Sequence, residues 1–434
     1  MYVKIDQTDY TDVRNLVFSP QTDITGESLP INEFSVDIVT DDTIAASQYA
    51  ELYDDRDRLW AKYWITYAER GSEEAFQIKA RSDIALLEGV TLPAVRYASA
   101  PIGDVLDATM VRQSGSVGIV ATIDYSLSSS FSSATITGCC PEQSARERLQ
   151  WVCFVLGAYV KSYFNSQIEI LPIETTVVSI PIEKEIMRPK VSFLDYVTGV
   201  EVTGFSFTSG TPGVGDEYIE INGDDYIITR QTYALANSEA PASAADNVTK
   251  FDSVYIVNAN NVSGVLANVA SYIFNRNTVK MDAIDNGDFI PGMLVQFYAD
   301  EATIMRGYIQ SCAFKFGKQA RATLHIIGGV EIETAMLIVK YKFDGRTIDE
   351  KTILLPVGYA YSIDNPWFDV EIKGHRYVLR PLTATVTGTM TSGGATATVN
   401  YEAALDLYEG TLTISNVDGI TTEIEDGKVV GVIE

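Results

Sequence analysis

The apolar and polar positions of the chain alternate as in a β-rich protein, with two amphipathic helices set into the pattern. Residues 13–18, 33–39 and 59–68 carry β-branched and aromatic side chains between turn formers and predict strands. The third is ambiguous by period. Helical spacing would gather Trp60, Tyr63, Trp64 and Tyr67, whereas strand spacing would place Leu59, Ala61, Tyr63, Ile65 and Tyr67 on one side. Its residue types, and Gly71 just beyond, favour a strand. Pro101 opens a short predicted helix over 101–110. The Ser-rich stretch 116–140 is a polar-faced hairpin or a loop. Residues 141–156 predict a helix with Pro141 at its start, Glu142 at its positive end and Gly157 as its stop. Ala145, Leu149, Val152, Cys153 and Leu156 form its apolar stripe. A hairpin, 158–164 to 168–171, follows.

The same order then recurs without sequence repetition. Asn222-Gly223 predicts a type I′ hairpin turn, and 238–246 reads as a surface loop. Val262, Leu266, Val269, Ala270 and Ile273 mark a helix over 261–275. Strands are expected at 278–283, 293–298 (after the Pro291-Gly292 turn), around Arg306-Gly307-Tyr308-Ile309 and at 322–327. Residues 331–434 read as several short strands between Gly, Pro and Asp-Gly punctuation. No Lys or Arg occurs between Leu382 and Gly427, a composition shift that supports a boundary near Gly328-Gly329.

At 434 residues, with 46% hydrophobic and 21% charged residues, the chain has the composition of a globular protein of about three domains. Its formal net charge is −26, from 58 acidic and 32 basic residues. That weighs against a duplex-binding surface, which needs clustered Lys and Arg. Such a charge serves solubility, or a wall that must repel nucleic acid. Cys139, Cys140, Cys153 and Cys312 form no CxxC and are expected as reduced core residues. The first residues, MYVKIDQTDYTDV, contain no apolar leader, so the expectation is a soluble protein made in the cytosol.

Little catalytic equipment is visible. Of the two histidines, His325 is expected in a strand and His375 in a solvated turn. No HExxH, GxSxG or P-loop occurs, and the glycines at 210, 213 and 215 read as loop. Asp41-Asp42, Asp54-Asp55 and Asp224-Asp225 are expected as solvated turns. No catalytic, cofactor-binding or metal residue is assigned, and no cofactor is expected.

Two segments resemble the bacteriophage tail hub and tail-tip family, which forms baseplate hubs of contractile tails and the N-terminal part of tail-tip proteins. In the first, a helix leads to Pro291-Gly292, then Gly307-Tyr308-Ile309, then a strand ending in Gly328-Gly329. In the second, Arg148, Leu149 and Gln150 in a helix precede Gly157 and a strand, then Ile168-Glu169-Ile170; Asn165-Ser166-Gln167 stands where the family often has Asp-Gly. Asp57-Arg58-Leu59-Trp60 is similar to the "D-x-L-W" entry into a barrel strand. The resemblance covers roughly residues 10–330.

It implies a mainly β fold with α+β insertions. A first hub barrel is expected at 1–100, a helix–hairpin insertion at 101–175, a second hub barrel with its helix at 176–330 and a small β module at 331–434. It implies a non-enzymatic virion protein of the phage tail, synthesised in the bacterial cytoplasm. As a homotrimer it would close the tail tube and line a DNA exit channel without binding nucleic acid specifically. Its partners would be tail tube and distal tail proteins and a tape measure or central spike. Residues 331–434 also resemble mucin-binding-type repeats, through Tyr341, Asp344-Gly345 and Tyr377 to Leu379, which would add contact with the host surface. The alternative is a tail-tip adhesin or hydrolase acting on cell-wall polysaccharide.

Overall fold

The computed structural model describes residues 1–332 apart from 25–27, 72–74, 114–119, 182, 183, 276, 286, 301, 302 and 317–319, and beyond residue 332 the backbone of the strands. The predicted mainly β architecture with small helical insertions is what the chain adopts.

Its first sheet runs Thr8–Tyr10, Tyr2–Ile5, Tyr49–Tyr53, Leu59–Arg70, Ala75–Arg81, Glu33–Val39, Val13–Phe18, every pairing antiparallel. The two end strands are separated in the chain by residues 11 and 12 alone, so the sheet has to curl back on itself. Glu33–Val39 strictly alternates buried and half-buried side chains, with Phe34, Val36 and Ile38 inward. Leu59–Arg70 is the strand its residue types favoured, but two bulges break its alternation. The register slips between the partners of Leu52 and Tyr53, which carries Trp60 inward beside Ala61. It slips again between Ile65 and Tyr67, which turns Tyr67 outward instead of placing it with Tyr63 and Ile65.

The second sheet repeats this order: Val177–Ser179, Leu294–Tyr298, Ile304–Lys315, Arg321–Ile332, Asn277–Ile284, Lys190–Ser192. In both sheets three consecutive strands form a meander, and the strand preceding them in the chain joins its far side. The correspondence breaks at one end: Thr8–Tyr10 has no counterpart in the second sheet, whose first pairing is parallel.

The two sheets share one core. Phe18 pairs with Phe314 across their edges, the Cys312 amide donates to the Pro20 carbonyl (3.0 Å), and the Thr22 amide donates to that of Gln310 (2.9 Å). At the seam Trp60 meets Phe314 edge-on at 4.7 Å, Phe164 at 4.8 Å and Phe316 at 5.0 Å. Its Nε1 donates to Asp54 (3.1 Å) and the Arg58 guanidinium lies 4.9 Å from its ring centre. This explains the Asp-Arg-Leu-Trp segment: the buried indole needs an acceptor and a lid, and the preceding turn supplies both.

The insertions hold the helices. The first contains α1 (Ile84–Glu88), α2 (Ile102–Thr109) and α3 (Ala145–Leu156). α3 begins four residues later than expected. Ser144 and Glu147 form a capping box, Ser144 Oγ accepting from the Glu147 amide (3.2 Å) and Glu147 Oε2 from the Ser144 amide (3.0 Å). Gln143–Ser144 is thereby held as a strand on Thr91–Leu92, and Glu142 lies before the helix. The second insertion is the sheet Tyr218–Ile221, Asp224–Ala236, Gly199–Ser209, Val248–Phe251 with α4 (Val262–Ile273). Asn222 (φ 56°) and Gly223 (φ 87°) make the expected type I′ turn.

The apolar stripes of the two long helices pack chiefly away from the curled sheets. Leu149 and Val152 belong to the core of the first insertion, with Leu87, Val105 and Ile170. Val265, Val269 and Ile273 pack with Val200, Val202, Phe154 and Tyr159. The curled sheets largely fill their own interior, so α3 packs within its own insertion and α4 packs on its own insertion, on Phe154 and Tyr159 of the first, and against Tyr308 and Ile327 at the margin of the second sheet. Beyond residue 332, Thr334–Phe343 and Arg346–Pro356 form a hairpin, with Thr421–Glu425 parallel to the first and Lys428–Ile433 outside it. Arg321–Ile332 runs on past Gly328-Gly329, so the expected stop at the glycine pair is a bulge inside a strand.

Candidate assembly surfaces

The glycines of the tail-hub resemblance each have a steric reason. Gly328 sits at φ 63°, and Gly328-Gly329 faces the single Gly307 across the strand pair. A Cβ on Gly307 would lie 2.7 Å from the Ile326 side chain and 2.8 Å from the Ile327 carbonyl. Gly292 turns at φ 89°, and a Cβ there would meet the Tyr159 ring at 2.5 Å. Tyr163 Oη donates to the Pro291 carbonyl at 2.5 Å. The Pro-Gly turn of the second sheet is thus gripped by two tyrosines of the first insertion. Gly157, the left-handed cap of α3, abuts Asn268 of α4. The Pro-Gly turn and Gly157 are joints between the two halves of the chain, and Gly307 with Gly328-Gly329 forms a close pairing within the second sheet.

Below the Pro-Gly turn lies a buried carboxylate. Asp285 Oδ1 accepts the amides of Gly287 (2.7 Å), Asp288 (2.7 Å) and Phe289 (3.2 Å), while Oδ2 is buried with no hydrogen-bond partner among the described residues. Burial pushes its pKa up to about 6 against the pull of those amides. Neither composition nor spacing marked this residue.

The residues weighed for chemistry are structural. Asp54 Oδ1 accepts the amides of Arg56 and Arg58 and its Oδ2 accepts from Trp60 and Arg58. Asp224-Asp225 lie in hairpin register with Ile221 and Glu220, and Asp41-Asp42 are exposed, their carbonyls taking Arg70. All four cysteines are free and buried, and burial raises the thiols of Cys139 to about 11 and of Cys140 and Cys153 to about 12, away from thiolate chemistry. His325 is on the expected strand, its pKa lowered by burial and by Lys280; His375 lies outside the described residues. Among the described residues no group of three or more His, Cys, Asp or Glu could hold a metal ion.

A cleft of about 490 Å³ opens between the two insertions, lined among others by Arg96, Phe205, Phe207, Gln231, Tyr233 and Asn258. Among the described residues no carboxylate, histidine or cysteine lines it, so these residues offer neither a general acid–base pair nor a nucleophile beyond hydroxyls.

What distinguishes the surface is its sign and its apolar residues. On the first sheet, Asp9, Lys4, Glu51 and Lys62 face one another across consecutive strands in alternating sign, and Lys62 bridges Glu51 at 3.1 Å. On the second, a row at the opposite end of the strand order reads Lys190, Lys280, His325. Beside it Met187, Phe193, Leu194 and Tyr196 are all more than half exposed or close to it, Phe193 at 77%.

The duplicated curled sheets with their insertions have the fold of a phage tail protein. No family model matches the chain, and no curated protein matches it. Among solved structures it is similar to the 43 kDa tail protein of prophage MuSo2 from Shewanella oneidensis, at 10% identity and TM-score 0.50, covering 75% of this chain and 97% of that one. The prophage tail protein gp18 from Listeria monocytogenes EGD-e (11% identity, TM-score 0.49, 75% and 93% covered) and the tail protein from Neisseria meningitidis MC58 (9%, 0.47, 75% and 95%) are also similar.

Proposed function

We propose that this chain is a structural hub of a bacteriophage tail or tail-like particle. Three copies form a ring that closes the distal end of the tail tube and lines the DNA exit channel, and the protein resides in the virion. The observation that carries this reading is the duplication: two curled sheets of one strand order, fused through Phe18 and Phe314, give six such modules in three chains. A six-fold tube is thereby matched by a three-fold ring. The fold shared with a prophage tail protein supports the same role, as does a surface built for contact rather than turnover.

Its partners are then the tail tube, distal tail proteins and a tape measure or central spike, and residues 331–434 project toward the host surface. The charge of −26 belongs partly on the inner wall, where it keeps the duplex sliding instead of docking. Only side chains within about 8 Å of the DNA act at physiological salt. Light scattering of the purified chain should report a trimer, and negative-stain images a ring with a central opening. A monomer at high concentration, with no ring on a tail-tube partner, would refute the reading.

A further inference from the structure

The row Lys190–Lys280–His325 has no internal reason. Lys190 and Lys280 are exposed and directly opposite one another, an arrangement that costs stability when the charges are alike. Neither lysine has an ion-pair partner among the described residues. Asp282, on the same strand face, accepts the Thr323 hydroxyl at 2.5 Å. Arg188 and Lys184 belong to the same segment, Lys184 bridging Asp288 at 3.1 Å. In the strands of the first sheet that hold the same places, Arg14 faces Asp37 and Asp37 faces Gln77, so the fold does not require a same-sign row.

The row lies on an open edge. Among the described residues Lys190–Ser192 pairs on one side alone, with Asn277–Ile284, and Phe193 and Leu194 follow it with most or half of their surface in water. Pro189, Lys190 and the three-residue length blunt this edge against indiscriminate strand pairing, so a partner here has to answer the lysines with acids and cover the exposed apolar residues. At the other end of the duplicated architecture, Thr8–Tyr10 is also paired on one side alone, with Tyr2–Ile5. That edge is acidic: Asp6 and Asp9 are exposed, and Asp6 and Asp42 both act on Tyr10, whose hydroxyl donates to Asp42 at 3.3 Å.

We infer that the Lys190–Lys280 edge, with Phe193 and Leu194, docks against the acidic Thr8–Tyr10 edge of a second copy of this chain, head to tail. This rests on the ring proposed above. Copies carrying −26 each repel, so an interface between them needs local cations facing local acids. Cations are also excluded from the DNA-facing wall, which leaves the flank between copies. Two unlike edges on one chain make a heterologous contact, the kind that closes into a ring when the rotation between copies closes. Phe193 and Leu194 supply the apolar part and the charges supply register.

The test uses the full chain. Lys190→Glu with Lys280→Glu should raise the dissociation constant of the assembly by about a hundredfold or more in analytical ultracentrifugation. Adding Asp6→Lys, which leaves Asp9 opposite Lys4, should restore part of it. In the unaltered protein, acetylation footprinting should find Lys190 and Lys280 protected and the exposed Lys250 reactive, a readout that stands even if the variants misfold. An unaltered protein that is monomeric overturns the ring and this docking together. A trimer with both lysines reactive, or one indifferent to the Glu variants, overturns the docking alone. Dissociation without rescue overturns the head-to-tail pairing.

Discussion

Replacing Asp285 by Asn should change how stability depends on pH, in a direction fixed by the site. The folded carboxyl titrates at about 6 against an ordinary 3.8, a difference of 6 − 3.8, or about 2.2 units. At about 1.36 kcal/mol per unit, burying the charged form costs roughly 3 kcal/mol once the pH is well above 6. The sign follows from the proton count. Between the two values the folded state holds a proton that the unfolded state has lost. The penalty is therefore full above pH 6, eases as pH falls through 6, and is gone below 3.8. From about pH 8 to about pH 5 this group alone should stabilise the protein by roughly 1.5 kcal/mol. Asn keeps an oxygen for the amides of Gly287, Asp288 and Phe289 and carries no charge. Urea unfolding of both proteins across this range, read as the difference between them, removes the contribution of every other group. Asp285→Asn should gain most at about pH 8 and lose that advantage toward pH 5. Parallel curves would mean that the carboxyl is not desolvated as the burial of Oδ2 requires.

Truncating the helix stripes should be costly because both leucines are enclosed. Leu149→Ala or Leu266→Ala should each lose roughly 2–5 kcal/mol in chemical denaturation, Leu149 toward the upper end because it has no exposed surface; loss of assembly with unchanged stability would place the helices against a partner instead. The isolated chain should release no product from peptidoglycan or polysaccharide. Turnover abolished by altering one carboxylate pair would move the role to a tail-tip hydrolase.

Much of the local structure could be read from residues alone, because its causes are local. Asn222-Gly223 dictates a type I′ turn through φ, and Gly157 stops α3 by the same means. The strand at Glu33–Val39 shows in its alternation, and the helix at Val262–Ile273 in its period. The capping box of Ser144 and Glu147 was equally present in the sequence and outweighs Pro141 as a start signal. The ordered Pro-Gly, Gly-Tyr-Ile and Gly-Gly segments pointed to the tail-hub fold, but why they are glycines needed the tertiary structure. Gly307 faces the bulge only after strands 304–315 and 321–332 pair, and Gly292 meets Tyr159 from 133 residues away.

The same holds for what the surface can do. That Trp60 turns inward and Tyr67 outward follows from two bulges, which no periodicity encodes. Asp285 is one acid among 58 until burial isolates its Oδ2. Lys190, Lys280 and His325 are far apart in sequence and become one row only through cross-strand register. Turns, caps and periods are fixed by interactions within a few residues, so the sequence determined them by itself. Side-chain facing across sheets, shared cores and charge rows depend on pairings between distant segments, and the fold alone decided those.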